Sequence, residues 1–485
     1  MCGIAGIVTE ADHKKQTAEN MSRRIAHRGP DGCGYYNDEH IALAHRRLSI
    51  IDLAGGAQPM FNEDRTLCVV FNGEIYNYRE LSEELRAAGH VFSTKSDTEV
   101  LVHGFEEWGE DLPCRLRGMF AFAIWNIPEQ TLFLARDHFG IKPLYYAQMN
   151  GAFFFASEIK AFFEVPEFEK VFNEDILQPF LEFSFVPTTE TFFKGVFRLD
   201  PGYTLSFKAG KAELKRYFRL HFDEKRPPYE QAVEEIARTM TDSVEKHMIA
   251  DVEVGSFLSS GIDSSYLVCL ARPDRTYTVG YTQERYSEIS YAKDLADRLG
   301  ISNTSEIITK EEFFEKMPEA LYYMDEPTSD PAAISLYFVA RLAAKDVKVV
   351  LSGEGADEFF GGYNSYRREV DMKAYDRIPL PVRRLIGKAA GLLPERRGLN
   401  FLVRRGQTLE EGYIGVNRNF SEKMARRILK KRCAMKAGDV TAPVYEEFRG
   451  SSDIDKMQAE IDHRKLVVRP QILQEVKEAR AQGDL

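Results

Sequence analysis

Near Phe218 the sequence changes character. Before that point, short apolar runs rich in Phe, Val, Ile and Tyr stand between Gly, Asn, Asp and Pro. They cover residues 3–8, 67–71, 119–126, 131–135, 144–148 and 152–156. Runs of that length and composition read as strands. Residues 78–88 and 97–108 read as helices among them, and the whole predicts an α+β sandwich. Beyond Phe218 comes HFDEKRPPYE, polar and carrying Pro227-Pro228, which reads as a linker. Residues 229–247 then show helical periodicity. Apolar runs at 254–258, 276–281 and 347–351 alternate with helical stretches, the pattern of a parallel, doubly wound α/β sheet. A length of 485 residues makes two domains the default expectation. We place them at 1–212 and 213–485. The tail from about Arg368 reads as helical and rich in Arg and Lys, and no internal repeat is evident.

Charge and cysteine usage narrow the function classes. Acidic residues number 75 against 64 basic ones, a formal charge of −11, which argues against a nucleic-acid-binding surface. The six cysteines (2, 33, 68, 114, 269 and 433) are scattered without a C-x-x-C pair, so neither a zinc site nor a disulfide framework is indicated. The start, MCGIAGIVTEADHKK, lacks the pattern of a secretory signal, and no apolar run is long enough to cross a membrane. The expected setting is a reducing cytoplasm, which keeps Cys2 as a thiol.

Cys2 directly follows Met1. Removal of Met1 would leave Cys2 with a free α-amine of pKa roughly 7.7–8, close to the ~8.5 of its own thiol. The amine could then take the thiol proton, the N-terminal form of a nucleophile paired with a base. Taken alone, Cys2 reads as a small residue at a strand start, Arg47 and Asp97 as solvated charges, and Asn72-Gly73 as a hairpin turn. The context is an ordered series: MCGIAGIV, AHRGPDG at 26–32, HRRLSIID at 45–52, FNGEIYNY at 71–78, SDTE at 96–99, ARDHFGIKPLYY at 135–146 and ASEIKA at 156–161. Over about the first 210 residues this series resembles the class II glutamine amidotransferase domain, an α+β N-terminal-nucleophile sandwich.

That resemblance implies glutamine hydrolysis by acyl transfer from Cys2. The side-chain amide of Asn72 and the backbone N–H of Gly73 would form the oxyanion hole, where each donor is typically worth ~3 kcal/mol. Arg47 would grip the substrate α-carboxylate through its planar fork. Asp97 would pair with the substrate ammonium, and Glu74 would help line the pocket.

In the second half, FLSSGIDSS at 257–265 follows an apolar strand and precedes a helical stretch. Such a turn aims N–H groups and hydroxyls at an anion. No G-K-[ST] follows, so it is not a Walker A loop. Alone it reads equally as a serine-rich helix cap. It resembles the S-G-G-x-D-S pyrophosphate loop of ATP pyrophosphatases, whose fold is adenine-nucleotide α-hydrolase-like. By that resemblance Ser259, Gly261 and Ser264 would hold pyrophosphate and Asp263 a Mg²⁺, a cation that prefers hard oxygen ligands. Ser260 replaces a Gly of the motif, at a cost of roughly 1 kcal/mol if that position needs a positive φ.

VVLSGEGADEFFGGY at 349–363, with DEPTSDPAA at 325–333, resembles asparagine synthetase of the glutamine-hydrolysing type. SGEGADE alone reads as an acidic loop at a strand end. The resemblance runs from Met1 to about Tyr366. It implies ATP contacts from Leu258, Val279, Ser352 and Gly353, assistance to β-aspartyl-AMP formation by Glu354, and a second Mg²⁺ ligand in Asp357. The implied enzyme is a carbon–nitrogen ligase that uses glutamine, aspartate and ATP, with no nucleic-acid or membrane partner; a homodimer is a candidate assembly. After DIDKMQ at 453–458 the family's later motifs are missing, so a truncation or frame change near Ala459 is expected to weaken the synthetase half. Two other readings stay open: an amidotransferase acting on another carboxylate, and a glutaminase-only or regulatory protein.

Overall fold

Alternating small and branched residues open the chain because β1 (Gly3–Val8) is covered on both faces. It lies between β9 (Ala152–Ala156) and β3 (Ile41–Arg47), antiparallel to both. At Gly6 a Cβ would stand 2.4 Å from the Phe155 ring, so only glycine lets that ring close over the strand. The sheet is completed by β2 (Gly32–Asn37), β8 (Tyr145–Met149) and β10 (Val196–Arg198), in the order β10-β8-β9-β1-β3-β2. In the computed structural model, residues 1–222, 227–328, 330–363, 373–394, 396–414, 420–431, 433, 435–452 and 455–458 are described.

A second six-stranded sheet lies against the first. It contains β4 (Met60–Phe61), β5 (Leu67–Ile75), β6 (Gly118–Asn126), β7 (Thr131–Arg136), β11 (Tyr203–Lys208) and β12 (Lys211–Arg216), ordered β12-β11-β7-β6-β5-β4. Ile4, Ile41 and Leu43 of one sheet meet Val70, Ala123 and Leu134 of the other in a fully buried layer. Each such side chain contributes roughly 1.5–3 kcal/mol by leaving water. Helix α1 (Lys14–Arg24) covers the outside of the first sheet through Ala18 and Met21. Helices α2 (Tyr78–Ala88) and α3 (Glu99–Trp108) cover the second through Leu81, Leu85, Val100 and Leu101. The result is the expected α+β sandwich, four layers deep.

Two local expectations change. Asn72-Gly73 is not a hairpin turn but the interior of β5, facing Ala121 and Phe120 of β6. A Cβ at Gly73 would lie 2.2 Å from the Met119 carbonyl, so the glycine serves close strand approach rather than a turn. The 212/213 boundary falls within β12, which stays paired with β11 as far as Arg216. The Tyr217 hydroxyl then donates to the Arg136 carbonyl at 2.7 Å, tying the chain down four residues further on. Part of the expected linker, residues 223–226, lies outside the described residues.

After α4 (Leu177–Phe183) and α5 (Tyr229–His247) a parallel sheet forms from β13 (Val254–Phe257), β14 (Arg275–Tyr281), β15 (Ser302–Ile308) and β16 (Val349–Leu351). Its order is β15-β14-β13-β16, so the chain moves outward from β13 and then returns to its other side. Helices α6 (Ile262–Ala271) and α7 (Ile289–Leu299) pack together on Val268, Ala292 and Ala296. Helices α8 (Lys310–Tyr323) and α9 (Ala332–Ala343) bury Tyr323, Tyr337 and Phe338 against Tyr277. This is the expected doubly wound arrangement. Its reversal point, between β13 and β16, is where open α/β sheets bind ligands at the strands' carboxyl ends. Further on, Leu380–Ala390, Arg397–Arg405 and Ala437–Glu447 are helical, as the tail was expected to be. Arg368, Tyr366, Asp453 and residues from Ala459 onward lie outside the described residues. No described helix is long and apolar enough to cross a membrane.

Candidate active sites

Cys2 stands at the mouth of β1, its thiol 3.7 Å from the Leu48 carbonyl. A cavity of about 40 Å³ there is lined by Cys2, Arg47, Asn72, Gly73, Glu74 and Asp97, so all six residues singled out in the first half converge. Burial pushes the Cys2 thiol up from its ordinary value, and Asp97 adds to the rise, while the N-terminal amine, a backbone hydrogen bond with Leu48 and Arg47 pull it down.

Asn72 is fully buried, and among the described residues neither its side-chain oxygen nor its nitrogen has a hydrogen-bond partner. An unmet amide on a cavity wall is costly unless a ligand meets it. Its strand is held by His45, whose Nε2 lies 3.1 Å from the Phe71 carbonyl. Burial lowers the His45 pKa to about 3, so the ring is neutral and serves as a fixed prop. HRRLSIID was noticed as a motif, but nothing in it separated His45 from its neighbours.

Arg47 is not a loose surface charge. Its guanidinium donates to the carbonyls of Leu53 (3.0 Å), Ile51 (3.3 Å) and Asp52 (2.6 Å). A Cβ at Gly56 would lie 2.3 Å from its Nη2, so the glycine clears room for the fork. Asp97 is buried and accepts from the Ile75 N–H at 3.0 Å. Burial raises its carboxyl to about 6, against the pull of that bond and its neighbours. A substrate ammonium would reverse part of that shift.

The ARDHFGIKPLYY motif is architectural. Buried Arg136 donates to the carbonyls of Lys142 (2.8 Å), Leu199 (2.6 Å) and Gly140 (2.7 Å). Asp137 accepts from the backbone N–H groups of Phe139, Ile141 and Lys142. Together they fix the 137–142 loop. AHRGPDG and ASEIKA also meet in space. Buried Glu158 contacts His27 (2.8 Å), Arg28 (2.9 Å) and Lys160, and Lys160 reaches Asp325 of DEPTSDPAA at 2.8 Å. Burial alone would raise the Glu158 pKa; its contacts with His27, Lys160 and Arg28 hold it well below the carboxylate range.

The second cavity, about 350 Å³, opens at the β13/β16 reversal point. Leu258, Ser259, Gly261, Asp263, Ser264, Val279, Ser352, Gly353, Glu354 and Asp357 all line it. Gly261 caps α6, and the hydroxyls of Ser259 and Ser264 lie 2.8 Å apart at that helix's start. The simple cap reading is therefore incomplete: the serines bond one another within a cavity wall. Ser260 is not among the residues with positive φ, so the strain considered for it does not arise. Gly353 lies close enough that a Cβ would come 3.2 Å from Asp263, bringing the loops after β13 and β16 together. Burial raises the Asp263 carboxyl, and the nearby charges of Asp357 and Glu358 raise it further. Ser184, Phe185, Glu288, Thr328 and Asp330 also line the cavity. Sequence reading missed the first three, which lie outside any motif.

Residues 1–218 match the glutamine amidotransferase domain family, and residues 235–475 match the asparagine synthase family. The chain is 42% identical over 470 residues to the Bacillus subtilis protein named asparagine synthetase [glutamine-hydrolyzing] 1, covering 94% of this chain and 74% of that one.

This chain belongs to the asparagine synthetase family.

A Mycobacterium tuberculosis member, named putative asparagine synthetase [glutamine-hydrolyzing], is 40% identical over 495 residues, covering 94% of this chain and 75% of its own. One from Methanocaldococcus jannaschii, also named putative, is 33% identical over 430 residues, 82% of each. The family match in the second half runs to residue 475, past Ala459, so likeness to the synthetase family continues beyond the point where its motifs stop.

Proposed function

We propose that the chain makes asparagine from aspartate and ATP, with glutamine as the nitrogen donor. The observation that carries this reading is the Asn72 amide, unpartnered among the described residues, beside Cys2 in one cavity, on a chain whose other cavity gathers the serine loop with Asp263 and Asp357.

At the first site, once Met1 is removed, the α-amine of Cys2 takes the thiol proton and the sulfur attacks the glutamine side-chain carbon. The carbonyl oxygen, now an oxyanion, is met by the Asn72 amide and the Gly73 N–H. The carbon–nitrogen bond breaks, and ammonia leaves with the proton held by the amine. Water then cleaves the thioester to glutamate. Arg47 and Asp97 orient the substrate through its carboxylate and ammonium.

At the second site, a β-carboxylate oxygen of aspartate attacks the α-phosphorus of ATP. Pyrophosphate leaves toward Ser259, Gly261 and Ser264, with Glu354 assisting. Ammonia, passed on within the protein and so kept unprotonated, attacks the acyl carbon of β-aspartyl-AMP and expels AMP. Asp263 and Asp357 suit Mg²⁺: they are hard oxygen donors, Asp263 is raised by burial and then by the Asp357 charge, and a cation relieves that repulsion. When bound, Mg²⁺ would neutralise charge on the leaving pyrophosphate.

The test is pyrophosphate release with Mg-ATP and an ammonium salt, comparing aspartate with glutamate, succinate and β-alanine as acceptors. Release that depends on aspartate and yields asparagine is expected. Release with another carboxylate in preference to aspartate would reassign the acceptor.

A further inference from the structure

We propose that Glu63, His90, His103 and Glu106 form a site for one divalent transition-metal ion, with Zn²⁺ the best fit, away from both cavities. Glu63 lies in the turn between β4 and β5, His90 follows the Gly89 cap of α2, and His103 and Glu106 share one face of α3. One ligand atom from each of the four lies within 4.8 Å of all the others.

The spacing fits a tetrahedral ion. Zn–N and Zn–O bonds of about 2.0–2.2 Å place neighbouring ligand atoms about 3.3–3.6 Å apart. His103 Nδ1 stands 3.3 Å from Glu63 Oε2 and 3.3 Å from Glu106 Oε2. His90 Nδ1 stands 3.6 Å from Glu106 Oε2 and 3.9 Å from Glu63 Oε1. Two carboxylates and two neutral imidazoles also balance the charge of a divalent ion. A histidine–carboxylate ion pair needs only two partners; here both Nδ1 atoms converge on the same two carboxylates.

Both carboxylates are also aimed from behind by hydrogen bonds, which is the independent support, and each histidine has a further carboxylate near its far nitrogen. Glu106 Oε1 accepts from Asn62 Nδ2 at 2.8 Å, leaving Oε2 toward the centre. Glu63 Oε1 accepts from the Val91 N–H at 2.7 Å, and its Oε2 faces His103. His103 is buried, with Nε2 3.7 Å from Glu99 Oε1, and Glu99 is itself locked by the N–H and hydroxyl groups of Ser93 and Thr94. His90 Nε2 lies 3.5 Å from Glu107. At 3.7 Å the His103–Glu99 approach is longer than a hydrogen bond; a metal on Nδ1 would favour its closing, since an outer carboxylate on the far nitrogen is the common way a metal site fixes a ligating ring.

An ion held there would staple the β4–β5 turn and the chain after α2 to α3. Because α3 starts just beyond Ser96, Asp97 and Thr98 of the glutamine cavity, the staple would steady that wall without joining the chemistry.

The test uses the full chain as Cys2→Ala, so that the nucleophile's thiol does not compete for metal. After chelator treatment and dialysis it is titrated with Zn²⁺ by calorimetry and with Co²⁺ by visible absorption. One saturable equivalent, a cobalt spectrum of four-coordinate type and a higher unfolding temperature with Zn²⁺ are expected. Adding His90→Ala is expected to weaken binding by more than about 100-fold, and Glu99→Gln by about 10–100-fold, the scale of outer-partner losses. His90 is part-exposed, so its variant is expected to fold even if one at buried His103 does not. Absence of a saturable equivalent, or equal binding by the parent and the folded His90→Ala variant, would overturn the proposal.

Discussion

Lys160 Nζ lies 2.8 Å from Asp325 Oδ1, joining the ASEIKA segment of the amidotransferase half to the DEPTSDPAA segment of the synthetase half. Both side chains are nearly fully buried, and Lys160 also contacts buried Glu158. Lys160→Met would leave two buried carboxylates without their shared cation. Removing one partner of a buried pair costs about 3–5 kcal/mol. Urea unfolding should show a loss of that order, partly recovered by adding Asp325→Asn. A change under about 1 kcal/mol would mean that the pair is as weak as an exposed one.

Asn72→Ala removes a buried amide that has no partner among the described residues and lines the same cavity as Cys2. We expect glutaminase kcat to fall ~10²–10³-fold with little change in KM, because the lost bond forms with the oxyanion and not with the ground state. Synthesis from ammonium should be untouched. Steady-state assays with the two nitrogen donors check both halves of the statement.

The pH profile of glutaminase should have an acid limb set by Asp97. Its carboxyl sits at about 6 before substrate binds, and only its ionised form holds an ammonium. Below that pH, kcat/KM should fall about tenfold per unit beyond the decline already set by protonation of the Cys2 α-amine. The kcat limb should lie lower, since bound substrate favours the ionised carboxylate. His45, at about 3, is already neutral through this range and does not supply the limb. Asp97→Asn should raise KM and abolish the limb.

Asp263→Asn and Asp357→Asn should each lower ATP-dependent pyrophosphate release by ~10³-fold, the scale of lost charge stabilisation at a leaving group. Glutamine hydrolysis measured without ATP should persist. Because Asp357 helps raise the Asp263 carboxyl, Asp357→Asn is expected to leave stability unchanged or slightly raised, as often follows when a strained functional site is relieved.

Much of the fold was legible from sequence because its period was strong. β1, α2 and α5 have the limits that apolar periodicity predicts. β2 was missed because Gly32–Asn37 is half-exposed and polar on one face, and β15 because Ser302–Ile308 is largely exposed and carries few apolar residues. Asn72-Gly73 has the composition of a turn, yet pairing with β6 overrides that local preference. Every residue singled out for chemistry lines one of the two cavities, since motifs at strand ends mark where a sheet presents side chains. The buried Glu158–Lys160–Asp325 contact was invisible because its members come from segments 165 residues apart. The His90–His103 cluster was missed for a related reason: its spacing follows no short metal motif, and only folding brings the loops together.

The most direct test of the central claim is the product stoichiometry of the purified chain supplied with glutamine, aspartate and Mg-ATP. We predict asparagine and pyrophosphate in equal amounts, with glutamate at least equal to them. Cys2→Ala should abolish synthesis from glutamine while preserving it from ammonium. Glutamate accumulating without pyrophosphate or asparagine, in a preparation that also fails with ammonium, would contradict the account and leave a glutaminase joined to a half that does not synthesise.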